Sequence, residues 1–158
     1  MLNKTTTKQN MHMKSLTTFI FFIVFTTQLF SQELTKEGLL GNWKVVDSQL
    51  MPEMEMGLDA EGKKKMDQTR IGFIGTVFYF EVNNKFRIKF PDNIPEFMKE
   101  LEFLNNTQWM IKKGQRIAIG TAQDGYSLMG IIVNDKEGKK YFILDETPFI
   151  LEVTKQIE

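Results

Sequence analysis

From Leu39 to the C-terminus the chain alternates apolar and polar residues in short runs, the period-two signature of half-buried strands. Leu39, Leu40, Gly41, Asn42 and Trp43 open a first strand that runs to Leu50, with Trp43 and Val45 on one face and Lys44 and Val46 on the other. Thr76 to Val82 and Lys85 to Phe90 follow as the second and third, and Asn83-Asn84 between them tolerates the positive φ of a tight hairpin. Phe78, Phe80 and Val82 share one face of that hairpin, as do Phe86, Ile88 and Phe90, and Pro91 stops the third strand. Thr107 to Lys113 and Gln115 to Thr121 flank Gly114, and Tyr126 to Val133 and Lys140 to Asp145 flank a turn over residues 135–139. Phe149 to Lys155 is the eighth strand.

Two segments break the alternation. Leu58 to Phe73 is polar and Lys-rich with Ala60, Met66 and Phe73 as spaced apolar contacts, which predicts a helix ending near Gly75. Ile94, Phe97, Met98, Leu101 and Leu104 recur at three- and four-residue steps behind Asn93, a residue type that caps helices, and predict a short amphipathic helix. Inserted between the third and fourth strands, that helix must lay its apolar face on the barrel, as a plug or as a lid. Hairpin-length links leave no room for parallel crossovers between the later strands. The fold class is therefore all-β with two short helices, an eight-stranded antiparallel up-and-down β-barrel, because closure buries the apolar face and removes exposed edges.

Ahead of the strands, Met13 to Gln32 reads as a secretory signal: Lys14 supplies the positive start, Leu16 to Phe30 the apolar stretch, and Ser31 the small residue before the cleaved bond. A membrane anchor is the competing reading of Phe19 to Phe25, weakened by Thr26, Thr27 and Gln28. The division is residues 1–31, an N-terminal extension with a cleaved signal peptide, and residues 32–158, the barrel domain. With no cysteine there is neither a disulfide framework nor a lipid-anchoring thiol, so the expected location is periplasmic or secreted, not as a lipoprotein, and without stable membrane insertion after cleavage. Loss of Lys4, Lys8 and Lys14 turns a balance of 20 basic and 20 acidic residues into 17 against 20. A mildly acidic domain without a basic stripe is no nucleic-acid binder.

Gly41-Asn42-Trp43 at the opening of the first of eight strands resembles the Gly-x-Trp signature of the lipocalin superfamily. Together with Gly75-Thr76-Val77-Phe78-Tyr79-Phe80 ahead of the Asn-Asn turn, it looks like the diverged, Bacteroidetes-type exported lipocalin-like family, over Leu39 to Val153. The resemblance implies a barrel whose end is closed by Trp43, with Gly41 and Trp43 as structural signature. Two departures stand beside it. The Thr-Asp-Tyr motif of typical lipocalins is missing, Asp124-Gly125-Tyr126 falling between the fifth and sixth strands, and the last strand has no arginine to pack over Trp43, only Lys155 lying near there.

Chemistry narrows further by what is absent. His12, the single histidine, lies in the segment expected to be removed, and there is no Gly-x-Ser-x-Gly nucleophile motif and no Gly-rich phosphate loop. Asp47, Asp145 and Glu146 offer carboxylates for acid and base work, but acids at strand ends are ordinarily solvated. The expectation is a non-enzyme with no cofactor and no metal. Met51, Met54 and Met56 suit Cu(I) by their soft sulfur, yet also suit adaptable packing at a pocket mouth. Lys63 to Lys65 reads as a solvated helix face. The leading expectation is an exported binding protein, a monomer, for a small apolar or amphipathic ligand held in the barrel. Phe78, Phe80, Phe86, Ile88 and Phe142 form its apolar wall, and Arg87, Tyr126 and Tyr141 its polar contacts. The alternative is a non-catalytic envelope interaction or structural protein with a filled barrel, since eight strands enclose a space that side chains can fill or one small ligand can occupy.

Overall fold

The computed structural model describes residues 33–52 and 57–157. Its compact unit runs from Leu34 to Glu158 and is a closed barrel of eight antiparallel strands in sequence order. The strands are β1 (Gly41–Leu50), β2 (Val77–Phe80), β3 (Lys85–Lys89), β4 (Thr107–Lys112), β5 (Arg116–Gly120), β6 (Met129–Lys136), β7 (Lys139–Leu144) and β8 (Phe149–Gln156). Each pairs with the next, and β8 returns to β1 from Asn42 opposite Gln156 to Leu50 opposite Phe149. Up-and-down order gathers alternate connections at each end. One end carries the β2–β3, β4–β5 and β6–β7 hairpins, and the other carries the longer links.

Alternation places the core as expected in most strands. Trp43 and Val45 are buried while Val46 is exposed, and β3 alternates with Phe86 and Ile88 inward. A bulge between Val45 and Asp47 then shifts the register against β8, and Ser48 becomes buried beyond it. Three details differ from the sequence reading. The second strand stops at Phe80, and residues 81–84 form a wider turn in which Glu81 N donates to Lys85 O and Asn84 alone takes a positive φ of 63°, so Val82 is 77% exposed instead of sharing the inner face. The sixth strand begins at Met129, because residues 121–128 close into a loop of their own. The turn between β6 and β7 shrinks to Glu137-Gly138, both at positive φ, as a tight two-residue hairpin requires.

A short helix, α1 (Lys36–Leu39), precedes the barrel and is capped by Thr35, whose Oγ1 accepts from Gly38 N at 3.1 Å. The Lys-rich segment forms α2 (Ala60–Phe73), capped by Asp59 accepting from Gly62 N at 2.8 Å. The chain then leaves through Gly75 at φ 88°, whose N donates to Val45 O. The amphipathic segment splits into α3 (Glu96–Lys99) and a 3-10 turn over Glu100–Leu104. Its cap is Pro95 and not Asn93, because a proline at that place sets the extended backbone and starts the helix later. A Cβ on Gly72 would collide with the Met98 sulfur, so α2 and α3 touch closely only because residue 72 is glycine. Both cover the long-link end of the barrel. Asn105 completes the strap by accepting from Ile88 N at 2.7 Å, standing in for strand β4, which pairs with β3 only at Lys85 and Phe86.

Candidate functional site

The hairpin end is solid. Trp43, Phe78, Phe80, Phe86, Trp109 and Phe142 are buried and contact one another ring to ring, with centroid separations of 5.4 to 6.2 Å and near-perpendicular pairs at Phe80–Trp109, Phe78–Phe142 and Phe80–Phe142. Trp43 Nε1 donates to Leu39 O at 2.7 Å, which fixes α1 against the barrel. Lys155 Nζ lies 5.4 Å from the Trp43 ring centroid and donates to Gly38 O, so this lysine takes the place where the resemblance calls for arginine. Gly41 makes room for it: at φ 115° it has no side chain, and a Cβ there would approach Lys155 Cε to 3.1 Å. Lys140 lies 5.7 Å from the same ring.

The other end is not solid. Between α2, the 3-10 turn, the 121–128 loop and the β7–β8 turn lies a cavity of about 480 Å³. Phe73, Phe78, Ile88, Leu104, Leu144 and Phe149 line its apolar part, all of them buried core residues. Phe103, 58% exposed, and Leu128, 41% exposed, stand on its wall as well. The polar part is made by Lys112, Arg116, Tyr126, Asp145, Glu146 and Thr147. A volume in the range of a small-molecule site, apolar over most of its wall with a few polar groups on one side, is what uptake of an amphipathic molecule needs.

Backbone chemistry builds that polar side. The 121–128 loop is organised around Asp124, whose carboxylate accepts from Thr121 N at 2.9 Å, Thr121 Oγ1 at 2.7 Å and Ser127 N at 3.1 Å. Gly120 admits this wrap, since a Cβ there would meet the Tyr126 Cα at 2.9 Å. Tyr126 sits at φ 60°, an uncommon conformation for a bulky residue, and its hydroxyl donates to Gln108 Oε1 at 3.0 Å. Lys112 Nζ donates to Gly125 O at 3.3 Å. Arg116 forms an ion pair with Asp145 across Gly130, whose missing side chain leaves the space: a Cβ there would lie 2.8 Å from Asp145 Cβ and 3.1 Å from Arg116 Nη2.

Hydrogen bonding by Thr121, above all to its side chain, holds the Asp124 carboxyl below its ordinary value of 3.8, and backbone N–H groups of Ser127, Thr121 and Tyr126 add to this against an opposing effect of burial. A depressed folded-state pKa means the unfolded chain binds the extra proton more readily, so the loop's stabilisation is complete above the ordinary value and is lost as pH falls through the lowered one. Protection of the Thr121 and Ser127 amides, taken relative to their intrinsic exchange rates, is expected to fall in that acid window ahead of protection in β5 and β6. Asp124→Asn is expected to abolish the pH dependence. Protection that stays parallel in loop and strands would remove Asp124 from this role.

The expected site residues divide accordingly. Phe78, Ile88 and Tyr126 do line the cavity, whereas Phe80, Phe86 and Phe142 belong to the solid aromatic end. Arg87 is paired with Glu81 at 2.6 Å and stacked 4.6 Å from the Tyr79 ring, on the strand face opposite to Phe86 and Ile88. Tyr141 alternates with buried Phe142 and Lys140, cross-strand from Glu152, and is not among the cavity residues. Of the carboxylates, Asp145 and Glu146 reach the cavity, while Asp47 accepts from Ser48 N and the Gln49 side chain elsewhere on β1. Met54, Met56 and the segment read from sequence as a signal lie outside the described residues; Met51 is half-buried beside the β7–β8 turn, its N donating to Pro148 O. Lys112 and Arg116 were not among the expected contacts, although a three-residue turn around Gly114 puts them directly opposite each other.

No family model, curated protein or solved structure matches the chain. Among the described residues no cluster of three or more His, Asp or Glu is placed to hold a metal ion, and no helix is long and apolar enough to cross a membrane.

Proposed function

We propose that this chain is an exported, lipocalin-like binding protein that holds a small apolar or amphipathic molecule in one end of its barrel. The observation that carries this reading is the cavity of about 480 Å³ with Phe73, Phe78, Ile88, Leu104, Leu144 and Phe149 on its wall. Its mechanism is burial and not bond chemistry: each ligand methylene taken out of water contributes about 0.8 kcal/mol, and the polar side orients the molecule. The solid aromatic end supports a second reading, a non-catalytic envelope interaction or structural protein whose barrel is a filled scaffold.

Titration with environment-sensitive probes, a fluorescent fatty acid and a naphthalene sulfonate, separates the two. The readout is the probe's own emission, because neither Trp43 nor Trp109 lines the cavity. Saturable binding near one probe per chain, displaced by unlabelled lipid, is the expected result. A cooperatively melting protein that binds neither probe would remove the ligand reading and leave the filled scaffold.

A further inference from the structure

The cavity's polar side carries two cations where a sheet would ordinarily avoid them. Lys112 on β4 and Arg116 on β5 are direct cross-strand partners, and like charges placed opposite one another destabilise a sheet. Both lie on the outward face of the sheet, the face of Gln108 and Met110, and line the cavity from outside the barrel wall beneath the 121–128 loop. Asp145 and Glu146 line the same side and match these two charges in number, so what distinguishes the cations is the donors they keep unspent. The Asp145 carboxylate meets Arg116 at Nη2, the arginine side chain stays 47% exposed, and a guanidinium has five N–H donors of which one carboxylate takes at most two. Lys112 spends one of its three ammonium donors on Gly125 O. Donors of both cations therefore remain at the boundary between the apolar wall and solvent. Gly130 keeps the floor beneath Arg116 and Asp145 free of a side chain, at the cost that glycine carries in a strand interior.

We propose that the ligand is an amphiphile with an anionic head, a carboxylate or a phosphate, gripped by Arg116 and Lys112 while its hydrocarbon part fills the space lined by Phe73, Phe78, Ile88, Leu104 and Phe149. This rests on the reading of the cavity as a ligand site. Arg116 supplies the directional contact, because its planar fork matches the two oxygens of either head. Lys112 supplies a point charge from the neighbouring strand. The head also relieves the like-charge pair, so the sheet arrangement that is unfavourable when empty becomes favourable when occupied.

Calorimetric titration of the purified protein with four dodecyl compounds tests this: dodecanoate, dodecyl phosphate, dodecanol and dodecyltrimethylammonium, all as monomers. At least tenfold tighter binding of an anionic member than of dodecanol is expected, weakening with salt and falling towards the dodecanol value in Lys112→Gln and Arg116→Gln. The ratio of dodecanoate to dodecyl phosphate identifies which head the fork prefers. Lys112→Gln is the decisive variant if Arg116→Gln, which strands Asp145, melts early. Equal binding of dodecanol and the anions, or tighter binding of the ammonium compound through Asp145 and Glu146, would overturn the anionic head while leaving the cavity as a ligand site. Binding of none of the four would overturn the site itself.

Discussion

Phe142→Ala is expected to cost about 3–5 kcal/mol of unfolding free energy, the range for removing a fully buried phenylalanine ring from a core. The ring is fully buried at the centre of the solid end, 5.7 Å from Trp43, 5.8 Å from Phe78 and 6.0 Å from Phe80, centroid to centroid. Its removal takes a partner from three aromatic residues at once, and strands β1, β2 and β7 that carry them are locked into a closed barrel and cannot collapse onto the gap. Ile132→Ala, at a site 37% exposed on β6, provides the contrast and is expected to cost about 1 kcal/mol or less. Denaturant unfolding of both variants measures the difference. A loss from Phe142→Ala no larger than that from Ile132→Ala would mean that the aromatic end is not packed as a unit. Probe affinity is expected to persist in folded Phe142→Ala, since Phe142 does not line the cavity.

That separation between a packed end and a hollow end is the feature the alternation of residues could not convey. Period two assigns Phe78, Phe80, Phe86 and Phe142 to one inner surface, and all four are indeed inside. It contains no information on height along the barrel, and height decides which of them meet another ring and which meet a void. The eight strands were legible because each apolar run is bounded by glycine, asparagine or a charge pair that the turns require. Arg87 and Tyr141 were misplaced for a related reason: each is the polar member of an alternating pair, and in a closed barrel that face looks outward to solvent, where Arg87 finds Glu81. Tyr126 was read as a strand residue because its hydrophobic neighbours continue the pattern, while the Asp124 side chain outcompetes the ladder for the Thr121 and Ser127 amides. Lys112 and Arg116 needed only the register of one hairpin. Counting outward from Gly114 gives it, once the turn is taken to hold three residues.

Met129→Trp is expected to weaken probe binding at least tenfold without unfolding the protein, and it is the sharpest test of where a ligand sits. Met129 is half-buried at the start of β6, opposite Ile119, and its side chain forms part of the cavity wall. Methionine is flexible, so an indole replacing it can turn into the available space and needs no displacement of the backbone. Filling an apolar void adds dispersion contacts that the empty wall lacks, and such substitutions typically raise stability by about 0.5–2 kcal/mol. Probe affinity is expected to fall at least tenfold, about 1.4 kcal/mol, because probe and indole compete for one volume. The same indole reports on residual binding: it stands in the cavity, whereas Trp43 and Trp109 stand in the solid end, so ligand contact alters its emission selectively. Unchanged affinity in a stable Met129→Trp protein would place the probe outside the barrel, on exposed apolar side chains such as Val46 or Ile74. If stability and affinity fall together, the indole has overpacked the space, and the smaller Met129→Phe resolves the matter: affinity lost at wild-type stability keeps the ligand in the cavity, and affinity retained puts it elsewhere.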